Sequence, residues 1–294
     1  MAISAKLVKE LREKTGAGMM DCKKALEACD GNLEASFDWL REKGIAKAAK
    51  KADRIAAEGL TAFVIDGNAA SIVVNSETDF VAKNAEFQEL VADIAKVIVT
   101  NQPADLDAAL KLQLDGKDLE TVIAEKSGKI GEKLSLRRFA VLTKEDAEVF
   151  GAYSHMGGKM SALVKLSDSD EEKAKDIAMH VAASAPQYID RTAIPTEVLD
   201  RELTVLKAQA MEENATSAKP KPENIIEKMV EGRLNKNLKE MCLVDQEFIK
   251  DPDQTVAKYL GNGKVLEMVR FQVGEGMEKR EENFAEEVAA QMKG

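Results

Sequence analysis

The sequence predicts an α+β protein, with helical modules flanking a core of antiparallel sheets. Residues 4–43 read as three short helices. Between Leu60 and Ser184 a β-hairpin precedes an amphipathic helix twice. Residues 195–234 carry two apolar stripes separated by a polar turn. One Trp and three Tyr in 294 residues, beside many Ala, Lys, Glu and Leu, fit a helix-rich chain.

Ser4 can cap the first helix, whose Leu7, Val8 and Leu11 share a face, and Gly16 and Gly18 end it. Asp21 opens the second helix, through Lys24 and Leu26. Asp30-Gly31-Asn32 turns the chain. Leu33, Phe37 and Leu40 stripe the third helix, which Gly44 stops. So small a bundle has a marginal core and leans on another part of the chain. The stretch 45–58 is helical in propensity and basic through Lys47, Lys50, Lys51 and Arg54. It is either a solvated connecting helix or a charged partner surface.

Leu60–Ile65 and Ser71–Val74 form a hairpin across Asp66-Gly67-Asn68. A helix over 84–99 places Phe87, Leu90, Val91, Ile94 and Ile98 on one face. Pro103 breaks the chain, shorter helical stretches cover 105–127, and Leu134–Leu142 is a strand. Val149–Ser154 and Met160–Leu166 form a second hairpin around Gly157-Gly158, followed by a helix over 169–184. The two helices share the fragment Asp-Ile-Ala, at 93–95 and 176–178, which reflects either two related halves or coincidence.

Pro195 suits a helix start, and Leu199, Leu203, Leu206 and Ala210 step by four, three and four, a coiled-coil seam. After the polar turn 215–222, Ile226, Met229, Val230 and Leu234 give the returning stripe. The simplest object is an antiparallel helical hairpin roughly 30 Å long. Asp251-Pro252 marks a break, 253–260 a short helix and 265–273 a strand. Gly274-Glu275-Gly276 turns the chain, and Phe284, Val288 and Met292 stripe a terminal helix.

With 52 acidic and 42 basic side chains, the net charge of -10 argues against broad nucleic-acid binding. The start alternates charge with short apolar steps, unlike a signal peptide, and no stretch reaches the ~20 apolar residues of a membrane span. The expected location is cytoplasmic, with no membrane partner. Cys22, Cys29 and Cys242 form no C-x-x-C pair and read as reduced packing residues. His155 and His180 are too far apart in sequence to suggest a metal pair. With no GxxxxGK[ST], GxSxG or HExxH motif, no catalytic residue, metal or cofactor is expected.

Two segments do not look like routine core. The first, Leu11–Leu26, holds Met19 and Met20 in a Gly-flanked turn. These methionines either plug the three-helix core or offer soft apolar surface to a partner. The second, Asn75–Asn84, sits between a strand and a helix that Thr78 or Asp79 can cap. Phe80 there either folds into the core or protrudes as a wedge.

Both segments resemble signatures of the elongation factor Ts family, the second as its internal Thr78-Asp79-Phe80-Val81-Ala82 motif. The resemblance continues through 129–132 (KIGE), 155–158 (HMGG), 180–184 (HVAAS), 227–233 (EKMVEGR) and 273–276 (VGEG), so it covers nearly the whole chain. Val73 stands where the family usually has Glu, and Lys159 and Ser161 where Arg and Gly are common.

The resemblance implies an N-terminal ubiquitin-associated-like module and linker (1–54) and a first α+β core half (55–142). It further implies a second half (143–190 and 235–265), an inserted coiled-coil hairpin (191–234) and a C-terminal module (266–294). It implies a guanine nucleotide exchange factor that binds elongation factor Tu in GDP-bound and nucleotide-free states, as a one-to-one or two-to-two complex. Thr78, Asp79, Phe80 and Val81 would then intrude beside the partner's magnesium and phosphate site. Met19, Met20, Ile130, Gly131 and His155 would make further contacts. Two rivals are weaker. A helical adaptor leaves the 78–81 turn unexplained, and a hydrolase using Asp79 with His155 or His180 lacks a nucleophile motif.

Overall fold

The structure, a computed structural model, describes residues 3–277 apart from 16, 18 and 218, and only the backbone of residues 13 and 45–49. Gly16, Gly18 and the expected terminal helix around Phe284, Val288 and Met292 lie outside the described residues. The described chain divides into two compact units. One takes the chain up to 143 with 154–161 and 271–277; the other takes 144–153 and 162–270.

The first unit opens with α1 (Ala5–Thr15), α2 (Met19–Ala28) and α3 (Leu33–Ala49). Ser4 Oγ accepts the Leu7 N–H at 3.2 Å. Asn32 Oδ1 accepts those of Glu34 and Ala35, both at 3.0 Å. Such side-chain acceptors satisfy N–H groups that have no partner inside the helix. Val8, Leu11, Cys22, Ala25 and Leu26 are buried, with Leu33, Trp39 and Leu40 packed against them. Two features differ from the expected pattern. α2 begins at Met19, two residues before Asp21. Phe37 is 40% exposed, because the inward face of α3 runs through Leu33, buried Ser36 and Leu40.

β1 (Glu58–Asp66) and β2 (Asn68–Ser76) pair antiparallel, Asp66 facing Asn68 across Gly67 at φ 68°. Then follow α4 (Asp79–Ala82), α5 (Ala85–Asn101), α6 (Leu106–Leu110), β3 (Gln113–Leu114), β4 (Lys117–Asp118), α7 (Leu119–Ile130) and β5 (Ser135–Leu142). β5 pairs antiparallel with β2, giving the order β1-β2-β5. The whole expected stripe of α5 is buried and packs on Leu60, Ile72, Val74 and Leu136. Gln102, in the left-handed conformation at φ 48°, ends α5 just before Pro103. The β3–β4 ribbon was not expected, since strands of two residues carry no alternation to read.

Gly44 does not stop α3, which runs on to Ala49; residues 50–53 then turn, so 45–58 is not a separate helix. α3 packs against α7, and at the crossing a Cβ on Gly128 would lie 2.6 Å from the Gly44 carbonyl oxygen and 2.8 Å from its Cα. Gly44 is therefore a backbone contact inside a helix, and the crossing needs Gly128 bare. Lys51 Nζ donates to the Ser127 carbonyl at 3.3 Å and Arg54 pairs with Glu77 at 3.3 Å, so these two cations are used within the chain.

The second unit contains most of β6 (Glu148–His155), β7 (Met160–Ser167) and, after α8 (Glu171–Ser184), the helices α9 (Thr196–Thr216) and α10 (Glu223–Met241). β8 (Glu247–Phe248), β9 (Asp251–Thr255), α11 (Val256–Leu260) and β10 (Lys264–Gln272) follow. The sheet order is β10-β7-β6. In each sheet the second strand of the hairpin is therefore central and a later strand joins on its far side. Asp170 caps α8, and Ala185 ends it at φ 46°, as Gln102 ends α5. The repetition in the sequence thus extends to strand order and helix ends.

α9 and α10 pack through Leu206, Ala210 and Val230, with Ile226 and Leu234 beside them, and Arg233 pairs with Glu213 at 3.0 and 2.6 Å. Leu203 is 42% exposed, so the packed seam is shorter than the stripe suggests. Residues 251–255 are a strand, not the start of a helix: Asp251 Oδ2 accepts from Gln254 at 2.6 Å, and α11 begins only where Thr255 can cap it. Among the described residues no helix is long and apolar enough to cross a membrane.

Candidate functional site

The most exposed large apolar side chain that the sequence singled out is Phe80, at 80%. Its surroundings explain why. Thr78 is extended at φ −124° and ψ 158°, and its Oγ1 accepts the Val81 N–H at 3.4 Å, starting α4. One turn later Asn84 starts α5, its Oδ1 accepting the Glu86 and Phe87 N–H groups at 2.8 and 3.4 Å. Two caps six residues apart make a one-turn helix standing off the main one. This corrects the expectation that Thr78 or Asp79 caps α5 itself. Ala82 is buried and Val81 packs on the core around α5. With roughly 100° between successive helical residues, Phe80 must face away from both.

Charge surrounds the ring. Lys83 Nζ donates to Asp79 Oδ2 at 2.6 Å and lies 5.9 Å from the Phe80 ring centroid, within cation–π range. The Lys83 hydrogen bond, with the positive charges of Lys83 and Lys159, holds the Asp79 carboxyl below the usual carboxylate range.

Behind the turn stands Glu132. Its Oε2 accepts the Glu77 and Thr78 N–H groups, each at 3.0 Å, and its Oε1 accepts the Thr78 hydroxyl at 2.6 Å. Glu77 Oε1 in return accepts the Lys133 N–H at 2.6 Å. The 78–81 turn and the Ile130–Gly131 segment, 49 or more residues apart in sequence, are thereby tied together. Gly131 is exposed at φ 94°, the left-handed end of α7, while Ile130 is half-buried on the core.

The 155–159 tip belongs to the same unit. His155 is exposed and Met156 is 71% exposed at φ 50°. Thr61 Oγ1 donates to the Gly158 carbonyl at 2.9 Å, and a Cβ at Gly158 would meet the Leu60 side chain at 3.0 Å. Lys159 pairs with Glu58. Ser161 bonds the buried Ser71 hydroxyl at 3.1 Å, and Val73 is fully buried.

Met19 and Met20 open α2 and are 59% and 62% exposed. Cys22 takes the core position instead, which removes the reading in which the methionines plug the bundle. Glu77, Glu132 and Met156 carry no spacing or composition signal that marks them for a role. All three stand inside the quoted motifs, but no periodicity signals a bond across 55 residues.

His180, the rival catalytic candidate, is fully buried. Its Nε2 lies 2.8 Å from Gln246 Oε1, and its Nδ1 accepts the Ile249 N–H at 3.2 Å, so both ring nitrogens are engaged in packing α8. Burial pushes its pKa below the ordinary histidine value, against the pull of the Gln246 bond. The unfolded chain, near 6.5, then binds the proton more readily than the folded one. Stability must therefore fall as pH drops through 6.5 toward the folded value. Thermal melts at pH 7.5 and 5.5 will show acidification costing the unaltered chain more in midpoint than it costs His180→Gln; an identical pH response of the two would contradict this.

A family model described as Elongation factor TS matches residues 77–275, which hold the turn, the 130–132 brace and the 155–158 tip. The chain is also 58% identical, over 294 residues covering 99% of each, to Elongation factor Ts of Pediococcus pentosaceus.

Proposed function

This chain belongs to the elongation factor Ts family, and from that premise we propose that it is the guanine nucleotide exchange factor of elongation factor Tu. It acts by binding and not by catalysis. The factor engages the GDP-bound partner and stays on the nucleotide-free form. The Thr78–Val81 turn enters beside the partner's magnesium and phosphate site, with Phe80 as the wedge. The observation that carries this reading is the 80% exposure of an aromatic on a turn braced from behind.

The energetics require only differential contact. A factor that prefers the empty partner must, by linkage, be weakened equally by nucleotide. Each tenfold of weakening takes ~1.4 kcal/mol, and one buried aromatic supplies about 1.5–3 kcal/mol. The departing nucleotide is held by the partner, so this chain needs no phosphate loop.

In this reading 1–54 is a ubiquitin-associated-like grip, 55–142 and 143–190 with 235–265 are the core halves, 191–234 is a coiled-coil hairpin and 266–294 a C-terminal module. Met19 and Met20 grip the nucleotide-binding domain of the partner, Ile130 and Gly131 touch the same domain, and His155 meets another. Stoichiometry is one-to-one or two-to-two, which sedimentation of the complex decides.

The test loads elongation factor Tu with labelled GDP and adds catalytic amounts of this chain; unaccelerated release ends the reading. Exchanging both Met19 and Met20 for serine should raise the half-saturating concentration by roughly tenfold or more. Because both side chains already face solvent, the thermal midpoint should hold. An unchanged half-saturating concentration removes them from the grip.

A further inference from the structure

We propose that Glu77 and Glu132 form a reciprocal clasp that presents Phe80, with Glu132 as the positioning residue for nucleotide release. The proposal rests on the exchange reading above. Strand β2 ends at Ser76 and α4 begins at Asp79, so the N–H groups of Glu77 and Thr78 fall between two hydrogen-bonding systems. Glu132 Oε2 takes both, each at 3.0 Å.

Its other oxygen does more than fill a vacancy. A threonine hydroxyl has one hydrogen to give. Here it goes to Glu132 Oε1 at 2.6 Å, which leaves a lone pair for the Val81 N–H at 3.4 Å. Glu132 therefore sets the direction of the cap that starts α4. Glu77 does the same in reverse: its Oε1 accepts the Lys133 N–H at 2.6 Å and is steadied by Arg54 at 3.3 Å. Ser127 Oγ donates to the Glu132 carbonyl, and Lys133 Nζ reaches the Ala52 and Arg54 carbonyls, so the brace is itself anchored.

A single helical turn does not hold its shape unaided. Val81 and Ala82 stay in the core through apolar packing, but the direction of Phe80 depends on the corner before them. The clasp orders that corner in advance, so the ordering entropy is not charged to the step in which Phe80 enters beside the nucleotide, while docking through the other contacts is left as it is. It also makes Phe80, Ile130 and Gly131 move together.

The test measures labelled GDP release from elongation factor Tu across a range of factor concentrations. It uses the unaltered chain, Glu132→Gln, Glu132→Ala, Phe80→Ala and the double variant Phe80→Ala with Glu132→Ala. Expected for Glu132→Ala is a maximal rate lower by about tenfold or more, with a half-saturating concentration changed by less than about threefold. Glu132→Gln, which keeps one acceptor oxygen, should recover part of the rate. In the Phe80→Ala background Glu132→Ala should cost nothing further, because a positioning residue has nothing left to position. A fully additive loss, or an unimpaired Glu132→Ala, overturns the clasp. If Glu132→Ala fails to fold, Thr78→Val removes the hydroxyl link alone; a normal maximal rate there overturns it equally. An unaltered chain that leaves release unchanged sinks the exchange reading and this proposal with it. An active unaltered chain beside an active Glu132→Ala sinks the clasp alone.

Discussion

Phe80→Ala will leave the fold intact and slow GDP release from elongation factor Tu by about 10- to 100-fold. The ring is 80% exposed, so its removal deletes little from this chain beyond the Lys83 contact on its face. The turn keeps its cap from Thr78, its brace from Glu132 and its inward anchors Val81 and Ala82. What disappears is apolar surface that is buried only when a partner closes over it. The full ~1.5–3 kcal/mol is therefore withdrawn from the complex. Thermal midpoints should agree within about 2 °C, and stopped-flow release of labelled GDP at saturating factor reads the rate. Undiminished release would remove the ring from the mechanism while leaving the family assignment standing.

Gly128→Ala should destabilise the attachment of the N-terminal bundle by about 1–3 kcal/mol. Its methyl would sit 2.6 Å from the Gly44 carbonyl oxygen and 2.8 Å from Gly44 Cα. Those are backbone atoms and cannot swing aside, so α3 and α7 must separate. A built-in control exists in the facing residue. A Cβ on Gly44 meets nothing within 4 Å, so Gly44→Ala should be neutral or stabilising, since alanine is favoured over glycine in a helix by ~1 kcal/mol. Thermal melts of the two variants check the asymmetry. Equal behaviour would mean that the crossing is not set by backbone contact. On the proposed grip through Met19 and Met20, Gly128→Ala should also bind elongation factor Tu more weakly, because the loosened bundle holds both methionines poorly.

Both hairpins and the stripe of α5 were legible because turn residues and apolar spacing mark them directly. Asp66-Gly67-Asn68 reverses the chain where expected, and Phe87 to Ile98 are all buried. Other features depend on partners distant in the chain. α3 continues through Gly44 because α7 lies against it, a fact no helix-stop rule contains. Phe37 reads as core by its spacing, yet Leu33, Ser36 and Leu40 turn inward instead. At the site, residue spacing left Met19, Met20 and Phe80 undecided between core and surface. Their exposure follows from Cys22 filling the bundle and from the second cap at Asn84. Glu132 was visible as a letter in a motif, but its three bonds to the 77–78 corner span more than fifty residues and exist only in the fold.

The bundle that carries Met19 and Met20 closes around Val8, Leu11, Cys22, Ala25 and Leu26, small side chains among them. A core of that size confers little autonomy, so much of its order is borrowed from the glycine crossing with α7. Its free energy of local opening therefore lies below that of the β1-β2-β5 sheet, and its amides should be among the first to trade hydrogen for deuterium. A partner that seizes the exposed methionines draws on the closed population and raises the ceiling on that opening, so occupancy and rigidity of this corner rise together.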